Sequence, residues 1–260
     1  MTIIEIPNSE LNIQKIAMSC DKAICDSKGR TVAKPLMSSS HFYIISGASG
    51  SGKSNLIVNL LKSTKTTKDK KHKKSYRNMF DNIVLVSPSA HTIKNSPLEN
   101  ISDEQKFNSL NEDVFDMVMS LTDDAVEEEN HTLLILDDVS SQLRTKENEK
   151  VLNQLVKNRR HLNLSIWVVT HKVTDAPPAL RSNANLIYLF KPKTLKEIDA
   201  IQSEYMLMSK QQADELMKAA YKDRYDFMLI DTSLRSGSEF VFYRNYNQLI
   251  FDEKDKTDSN

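Results

Sequence analysis

Glycine is scarce in this chain, and the few glycines present are unevenly spread. Only five of the 260 residues are glycine, and three of those fall within the segment 47–52. Glycine weakens ordinary helices and strands, so a chain this poor in it is expected to use it where the backbone turns sharply or approaches a ligand. This glycine cluster is therefore the first candidate for a binding loop.

The chain also lacks a net charge, a long apolar run and a second pair of cysteines. Its 35 basic residues balance 35 acidic ones, so DNA contact must come from local patches or from an oligomer. Without a membrane-length apolar run or a leader pattern, we expect a soluble, intracellular protein that is not secreted. Cys20 and Cys25 lack partners for a zinc site and are expected to be reduced thiols.

The glycine cluster belongs to a phosphate-binding motif. Residues 47–54 read GASGSGKS and match G-x-x-x-x-G-K-[ST], whose backbone N–H groups cradle the phosphates of a nucleotide. A β-prone apolar run at 41–45 precedes the loop, and an apolar helix at 55–61 follows it. The motif requires this order of strand, loop and helix, which disfavours the alternative of a simple glycine–serine turn.

The polar groups of the loop have separate expected roles. Lys53 is expected to reach the β- and γ-phosphate oxygens, and Ser54 Oγ to ligate Mg²⁺. The N-terminus of the following helix adds free amides and the positive end of its dipole. The predicted nucleotide-binding residues are Gly47, Ala48, Ser49, Gly50, Ser51, Gly52, Lys53, Ser54 and Asn55.

A second apolar strand ends in two carboxylates. The run 132–136 is typical of a buried strand in a parallel sheet, whose carboxyl end faces the ligand crevice. Asp137 is the candidate to hold Mg²⁺ beside Ser54, and Asp138 is the candidate to orient or deprotonate the attacking water. The alternative is an acidic turn cap. Paired with the upstream phosphate loop, the two acids indicate a hydrolase.

Hydrolysis also needs charge relief and positioned polar groups. Arginines from a neighbouring subunit can accelerate phosphoryl transfer by roughly 10³–10⁵. Arg159, Arg160 and Arg181 are the candidates, and a helix-end or surface charge is the alternative for each. Thr170 and His171 end the predicted strand 165–170 at the edge where a nucleotide would bind. A satisfied strand-end histidine remains the alternative for His171.

The remaining pattern alternates strands and helices. It predicts an α/β sandwich around a mainly parallel sheet, with further strands at 83–87 and 186–190. Ser102 and Gln105 form a capping-box pattern at the start of a predicted helix. The apolar residues with helical spacing along it are Phe107, Leu110, Val114, Met117, Val118 and Leu121. Near the C-terminus the pattern predicts two helices, at 195–206 and 210–221. A β-hairpin follows, with strands at 226–232 and 239–244.

We expect a single P-loop ATPase domain over residues 1–260. An N-terminal extension at 1–40, with a strand at 2–6, precedes a nucleotide-binding core at 41–192. C-terminal helices with a hairpin follow at 193–251, and a flexible tail ends the chain at 252–260. A basic run at 62–77 is either a contact for a phosphate backbone or a solvated connection, and the sequence favours neither.

Four segments together resemble one family. They stand in a fixed order over roughly residues 40–192 and read GASGSGKS, LLILDD, KNRRHLNLSIWVVTH and DAPPALRSNANLIYLF. They resemble the genome-packaging ATPases of large eukaryotic DNA viruses, of poxvirus and virophage type, within the FtsK/HerA superfamily. The resemblance implies a RecA-like (ASCE) three-layer sandwich in which the phosphate-loop strand and the acid-pair strand are not adjacent.

The resemblance also implies an activity and partners. It implies a motor that hydrolyses ATP with Mg²⁺ and packages double-stranded DNA, acting as a hexameric ring on capsid or portal-vertex proteins. The expected location is the virion or a virus factory in the cytoplasm or nucleus. Arg160 or Arg181 is implied as a trans-acting arginine. The superfamily often has Glu where Asp138 stands and Gln where His171 stands.

Two other functions fit a phosphate loop. A nucleotide-dependent capsid-assembly or scaffold protein would bind ATP with negligible turnover and no response to DNA. A small-molecule kinase, or another P-loop ATPase not acting on DNA, is the enzymatic alternative, and a kinase would need an arginine-rich lid that the sequence does not show. GTPase base-reading motifs are also absent from the sequence.

Overall fold

The computed structural model describes residues 32–38, 40–62, 76, 78–92, 96–123, 125, 127–236 and 239–251. Several predictions therefore fall outside the described residues. These are the strand at 2–6, the two cysteines, almost all of the basic run 62–77 and the tail at 252–260.

A nine-stranded sheet forms the centre of the described structure. Its strands are β1 (Phe42–Ser46), β2 (Asn82–Val86), β3 (Lys106–Phe107), β4 (Thr132–Asp137), β5 (Leu164–Thr170), β6 (Leu186–Phe190), β7 (Phe227–Ser236), β8 (Glu239–Arg244) and β9 (Asn247–Leu249). Their order across the sheet is β3-β2-β4-β5-β1-β6-β7-β8-β9. The first six strands pair in parallel, and β7, β8 and β9 extend the sheet by antiparallel pairing.

Helices cover both faces of this sheet. They are α1 (Lys53–Lys62), α2 (Glu112–Thr122), α3 (Lys146–Asn158), α4 (Pro178–Arg181), α5 (Leu195–Tyr205) and α6 (Lys210–Ala220). Successive strand side chains point to opposite faces, so Ile44 joins one apolar core and Ile45 joins the other. Buried residues of α2, α3, α5 and α6 fill the first core, and those of α1 fill the second. The arrangement confirms the predicted three-layer sandwich.

The order of the central strands determines which loops meet. β5 lies between β1, which leads into the phosphate loop, and β4, which ends in the acid pair. The register pairs Ser46 with Thr170 and Asp137 with Val169, so the three carboxyl ends align at one edge. The expectation that the phosphate-loop strand and the acid-pair strand are not adjacent is confirmed.

The prediction of a helix starting at the Ser102 capping box is wrong. Residues 103–105 form a single 3₁₀ turn, and the Ser102 side chain makes no capping hydrogen bond. Phe107 belongs to β3, where it pairs with Val86, so sheet pairing overrides the helical spacing. The helix α2 begins later and is capped by Asn111, whose Oδ1 accepts the Val114 N–H at 3.3 Å.

The C-terminal helix pair and hairpin are confirmed as α5, α6, β7 and β8. The first strand of the hairpin is longer than predicted, and the short polar strand β9 was not predicted at all. β7 joins the parallel core by pairing antiparallel to β6, which brings residues 222–226 to the edge of the sheet where the phosphate loop begins. Within the described part of the chain, no helix is both long and apolar enough to cross a bilayer.

Candidate nucleotide-binding site

The phosphate loop connects β1 to α1 with the backbone that its glycines permit. Gly50 and Gly52 have φ values of 74° and 112°, which disfavour residues with a Cβ. A Cβ added to Gly47 would lie 2.6 Å from Phe190 Cβ, and one added to Gly52 would lie 3.3 Å from the Phe190 ring. The Gly47 N–H donates to the Thr170 carbonyl at 3.1 Å. The loop is therefore held against β5 and β6, with no room for larger residues at Gly47.

Lys53 is folded onto the loop that precedes it. Its Nζ donates to the carbonyl oxygens of Gly47 at 2.5 Å and Ala48 at 3.2 Å. Burial lowers the pKa of the Lys53 ammonium below its usual value, and the charges of Asp137 and Asp138 oppose this shift. The ammonium thus stands between the phosphate loop and the acid pair.

Asp137 ends β4 in a partly enclosed position. Burial, followed by the charge of Asp138, raises the pKa of Asp137 above its usual value. Lys53 and a hydrogen bond from Ser87 oppose that rise. A nearby cation would compensate for the unfavourable burial of this carboxylate.

Asp138 adopts a backbone conformation that is unusual outside glycine. Its φ of 58° turns the chain immediately after β4, and its N–H donates to the Val169 carbonyl at 3.4 Å. The Asp138 carboxylate then lies 2.9 Å from His171 Nε2, and the two side chains are 58% and 46% exposed. The turn thus directs the second acid toward the end of β5, away from the direction of the first.

The ends of four strands enclose one cavity of about 440 Å³. It contains most of the residues that the sequence predicts for the site: Ser49, Gly50, Gly52, Lys53, Ser54, Asn55, Asp137, Asp138, Thr170 and His171. The predicted loop residues Gly47, Ala48 and Ser51 do not line it. The structure therefore brings the phosphate loop, the acid pair and the polar end of β5 together.

The segment after β2 also lines the cavity and was not predicted as part of the site. Ser87, Pro88 and Ser89 follow β2, and the Ser87 and Ser89 hydroxyls lie 3.2 Å apart. The available signal was the polar end of the apolar run 83–87, since the carboxyl ends of parallel strands share one edge.

The predicted arginines lie away from this cavity. Arg160 is exposed and precedes β5, at the opposite edge of the sheet from the phosphate loop. Arg159 is held by its own chain, with Nη1 donating to the Val156 carbonyl at 2.5 Å and Nη2 to Asn185 Oδ1 at 3.2 Å. Arg181 Nε pairs with the Glu204 carboxylate at 2.9 Å and leaves only 12% of its side chain exposed. None of the three contributes to the cavity of its own chain.

Solved structures with this fold include viral packaging enzymes. One is B204, described as the DNA-packaging ATPase from Sulfolobus Turreted Icosahedral Virus, with a TM-score of 0.54 and 17% identity over 81% of this chain and 99% of that chain. Another is the genome packaging NTPase B204 from Sulfolobus turreted icosahedral virus 2 in complex with ATP-gammaS, with a TM-score of 0.53 and 18% identity over 80% of this chain and 98% of that chain. At such identities the likeness establishes the P-loop fold alone.

The sequence comparisons are more specific about the family. Among curated proteins none matches this chain. A family model described as Poxvirus A32 protein matches residues 32–258, which span the sheet, the cavity and the C-terminal hairpin. The chain belongs to the poxvirus A32 protein family.

Proposed function

We propose that this protein is an ATP-hydrolysing motor that packages double-stranded viral DNA. The observation that carries the proposal is the single cavity in which the phosphate loop, the acid pair and His171 meet. Membership of the A32 family and the fold shared with B204 packaging enzymes support the same activity. The protein would act in the virion or in the virus factory.

The cavity suits a triphosphate. Its loop offers backbone amides and the Lys53 ammonium, which bonds to two loop carbonyls and lies in the field of the two acids. Thr170 Oγ1 is buried and has no hydrogen-bond partner among the described residues, although Thr170 lines the cavity. A buried hydroxyl without a partner is unfavourable, so a phosphate oxygen or an ordered water here would stabilise it.

Mg²⁺ fits the oxygen groups at the same place. Ser54 and Asp137 supply a hydroxyl and a carboxylate, and Mg²⁺ prefers such ligands completed by water and phosphate. Across the described ranges, no cluster of three or more His, Cys, Asp or Glu side chains could hold a metal by itself. When bound, Mg²⁺ would neutralise charge on the phosphates.

Asp138 and His171 are suited to act on the attacking water. Ionised Asp138 can accept a proton or orient the water, and the His171 Nε2–H donates to its carboxylate and fixes its direction. The exposure of both side chains leaves room for water beside them. We assign Asp138 the role of water-orienting base and His171 that of its positioning partner.

We propose that the active form is a ring in which no site is complete within one chain, because Arg160 of each subunit reaches the cavity of its neighbour.

 Arg160 is exposed and unpaired with any acid among the described side chains, whereas Arg181 is held by Glu204. Because Arg160 lies at the sheet edge opposite its own cavity, only a neighbouring subunit's nucleotide is within its reach in a ring. A hexamer on a capsid or portal vertex would have this arrangement.

The test is the ATPase rate with and without duplex DNA, measured across salt concentrations. A motor predicts stimulation by DNA that declines steeply as salt rises, because phosphate contacts release counterions. A scaffold protein predicts ATP binding with negligible turnover, and an enzyme unrelated to DNA predicts turnover that duplex DNA leaves unchanged. Either of these last two results would contradict the motor.

A further inference from the structure

A second cleft opens on the other side of the phosphate loop from the acid pair. It has a volume of about 730 Å³ and meets the first cavity at Gly52 and Asn55, which line both. The first cavity extends over β4 and β5, whereas the second is bounded by Phe190 at the end of β6. Since β1 lies between β5 and β6, the loop separates the two clefts.

The second cleft is lined largely by aromatic rings. Phe190 and Phe227 form its buried floor, with ring centroids 5.7 Å apart and exposures of 5% and 7%. Tyr246 packs edge-on against Phe227 at 5.5 Å and remains 42% exposed. Tyr225 is 57% exposed, although its ring reaches within 3.7 Å of the Cβ position at Gly52. Large aromatic rings thus stand exposed directly beside the phosphate loop.

The segment that carries Tyr225 is held firmly. The Asp226 carboxylate accepts the backbone N–H groups of Lys222 at 3.0 Å and Asp223 at 2.8 Å. It also accepts Arg244 Nε at 2.8 Å, which ties the turn to β8. The guanidinium carbon of Arg224 lies 5.1 Å from the centroid of the Tyr225 ring. Tyr225 is therefore a fixed exposed ring, which limits the entropy lost when a ligand stacks on it.

We propose, on the basis of the ATPase function proposed above, that this second cleft binds the base and ribose of ATP, with the base stacked on Tyr225. The acids require the γ-phosphate in the first cavity, so a triphosphate lying along the loop has its nucleoside at the Asn55 end. Bases stack readily on aromatic rings because every base has a π-face. Lys34, Asn55 and Asn59 are exposed lining residues that offer polar groups to the ribose.

Calorimetry with ATP and with inorganic tripolyphosphate tests this assignment on the full chain. Tyr225→Ala is expected to weaken ATP binding at least about tenfold and to leave tripolyphosphate binding within about twofold of the parent. Tyr225→Phe keeps the ring and is expected to bind ATP like the parent. Leu207→Ala, at a residue that is 59% exposed and lines neither cleft, is the matched control.

Two results would overturn the assignment. One is ATP binding by Tyr225→Ala equal to that of the parent, and the other is an equal loss of ATP and tripolyphosphate binding, which would indicate a disturbed phosphate loop. If the parent protein hydrolyses ATP in either case, the assignment of the second cleft to the nucleotide base is wrong and the proposed ATPase function is unaffected. A folded parent that binds no ATP would defeat both proposals.

Discussion

Among individual residues, Gly47 illustrates how closely the phosphate loop is packed. A Cβ there would lie 2.6 Å from both Phe190 Cβ and Ser51 Oγ. Gly47→Ala is therefore expected to lower the free energy of unfolding by about 1–3 kcal/mol, because β6 and the loop would have to separate. Denaturant unfolding measures this change.

Ser49→Ala is the control for that substitution, since Ser49 is exposed in the same loop. Its effect on the free energy of unfolding is expected to stay within about 0.5 kcal/mol. Equal stabilities of Gly47→Ala and the parent would contradict the close approach of the loop to β6.

Asp138 is the residue on which turnover is expected to depend most selectively. Asp138→Asn keeps the size of the side chain but removes the base, so the ATPase rate is expected to fall by about 10²–10⁴ while ATP affinity is retained. Steady-state kinetics and calorimetry measure the two quantities. Asp116→Asn, at an exposed position on α2, is the control. An ATPase rate in Asp138→Asn equal to the parent's would disprove the assignment.

At the scale of elements, the apolar strands were the easiest features to predict. β6 was predicted with its observed ends at 186–190, and β4 and β5 to within a residue or so, because buried parallel strands are continuous apolar runs. β3 and β9 were missed, since strands of two and three residues carry too little pattern. The capping-box pattern at Ser102 predicted the wrong start for a helix, because the same pattern is equally compatible with a single 3₁₀ turn.

The parts of the site that carry a sequence motif within one segment could be predicted from the sequence. The phosphate loop and the acid pair each carry a local motif, and the parallel topology then brings them to one edge. The aromatic cleft has no such motif. Its rings come from β6, the start of β7 with the turn before it, and the turn after β8, and the antiparallel extension of the sheet brings them together.

The turn at 222–226 has its own pH dependence. Burial alone would raise the pKa of Asp226, but hydrogen bonds from the Asp223 backbone, Arg244 and Asn245 lower it from 3.8 to about 2. A lowered pKa in the folded state means that ionised Asp226 stabilises the fold above pH 3.8, and that this contribution is lost as the pH falls toward 2. Acid should therefore weaken this turn.

Asp226→Asn is expected to lower the free energy of unfolding by about 1–3 kcal/mol at pH 7. The difference from the parent is expected to be smaller at pH 3, where the unfolded parent has already taken up the proton. Urea unfolding at the two pH values measures this. Asp223→Asn is the control. Asp223 also pairs with Arg244, but its carboxylate is exposed, so this ion pair contributes little to the free energy of unfolding. A difference that does not change with pH would contradict the role of the charge.

At the scale of the whole molecule, the proposed ring makes each active site depend on two chains. Arg160→Ala is expected to reduce the ATPase rate by roughly 10³–10⁵ while each chain still binds ATP. Lys53→Ala is expected to be inactive for a different reason, because it loses the phosphate contact. Mixing the two inactive proteins should restore activity, since Lys53→Ala subunits can donate Arg160 to intact sites on their neighbours.

The controls for this experiment are each inactive protein mixed with itself. Activity that stays at the level of these controls would show that Arg160 does not act between subunits. Arg181→Ala tested in the same way would then decide whether the arginine tied to Glu204 has that role instead.

The nucleotide pocket is the feature on which the motor, the base site and the ring all depend. Isothermal titration of ATP with Mg²⁺ into the folded protein tests it most directly, with Lys53→Ala in parallel. We expect saturable heat corresponding to one nucleotide per chain, and the loss of this heat in Lys53→Ala. A folded parent that gives no binding heat, or a Lys53→Ala protein that binds ATP as the parent does, would contradict it.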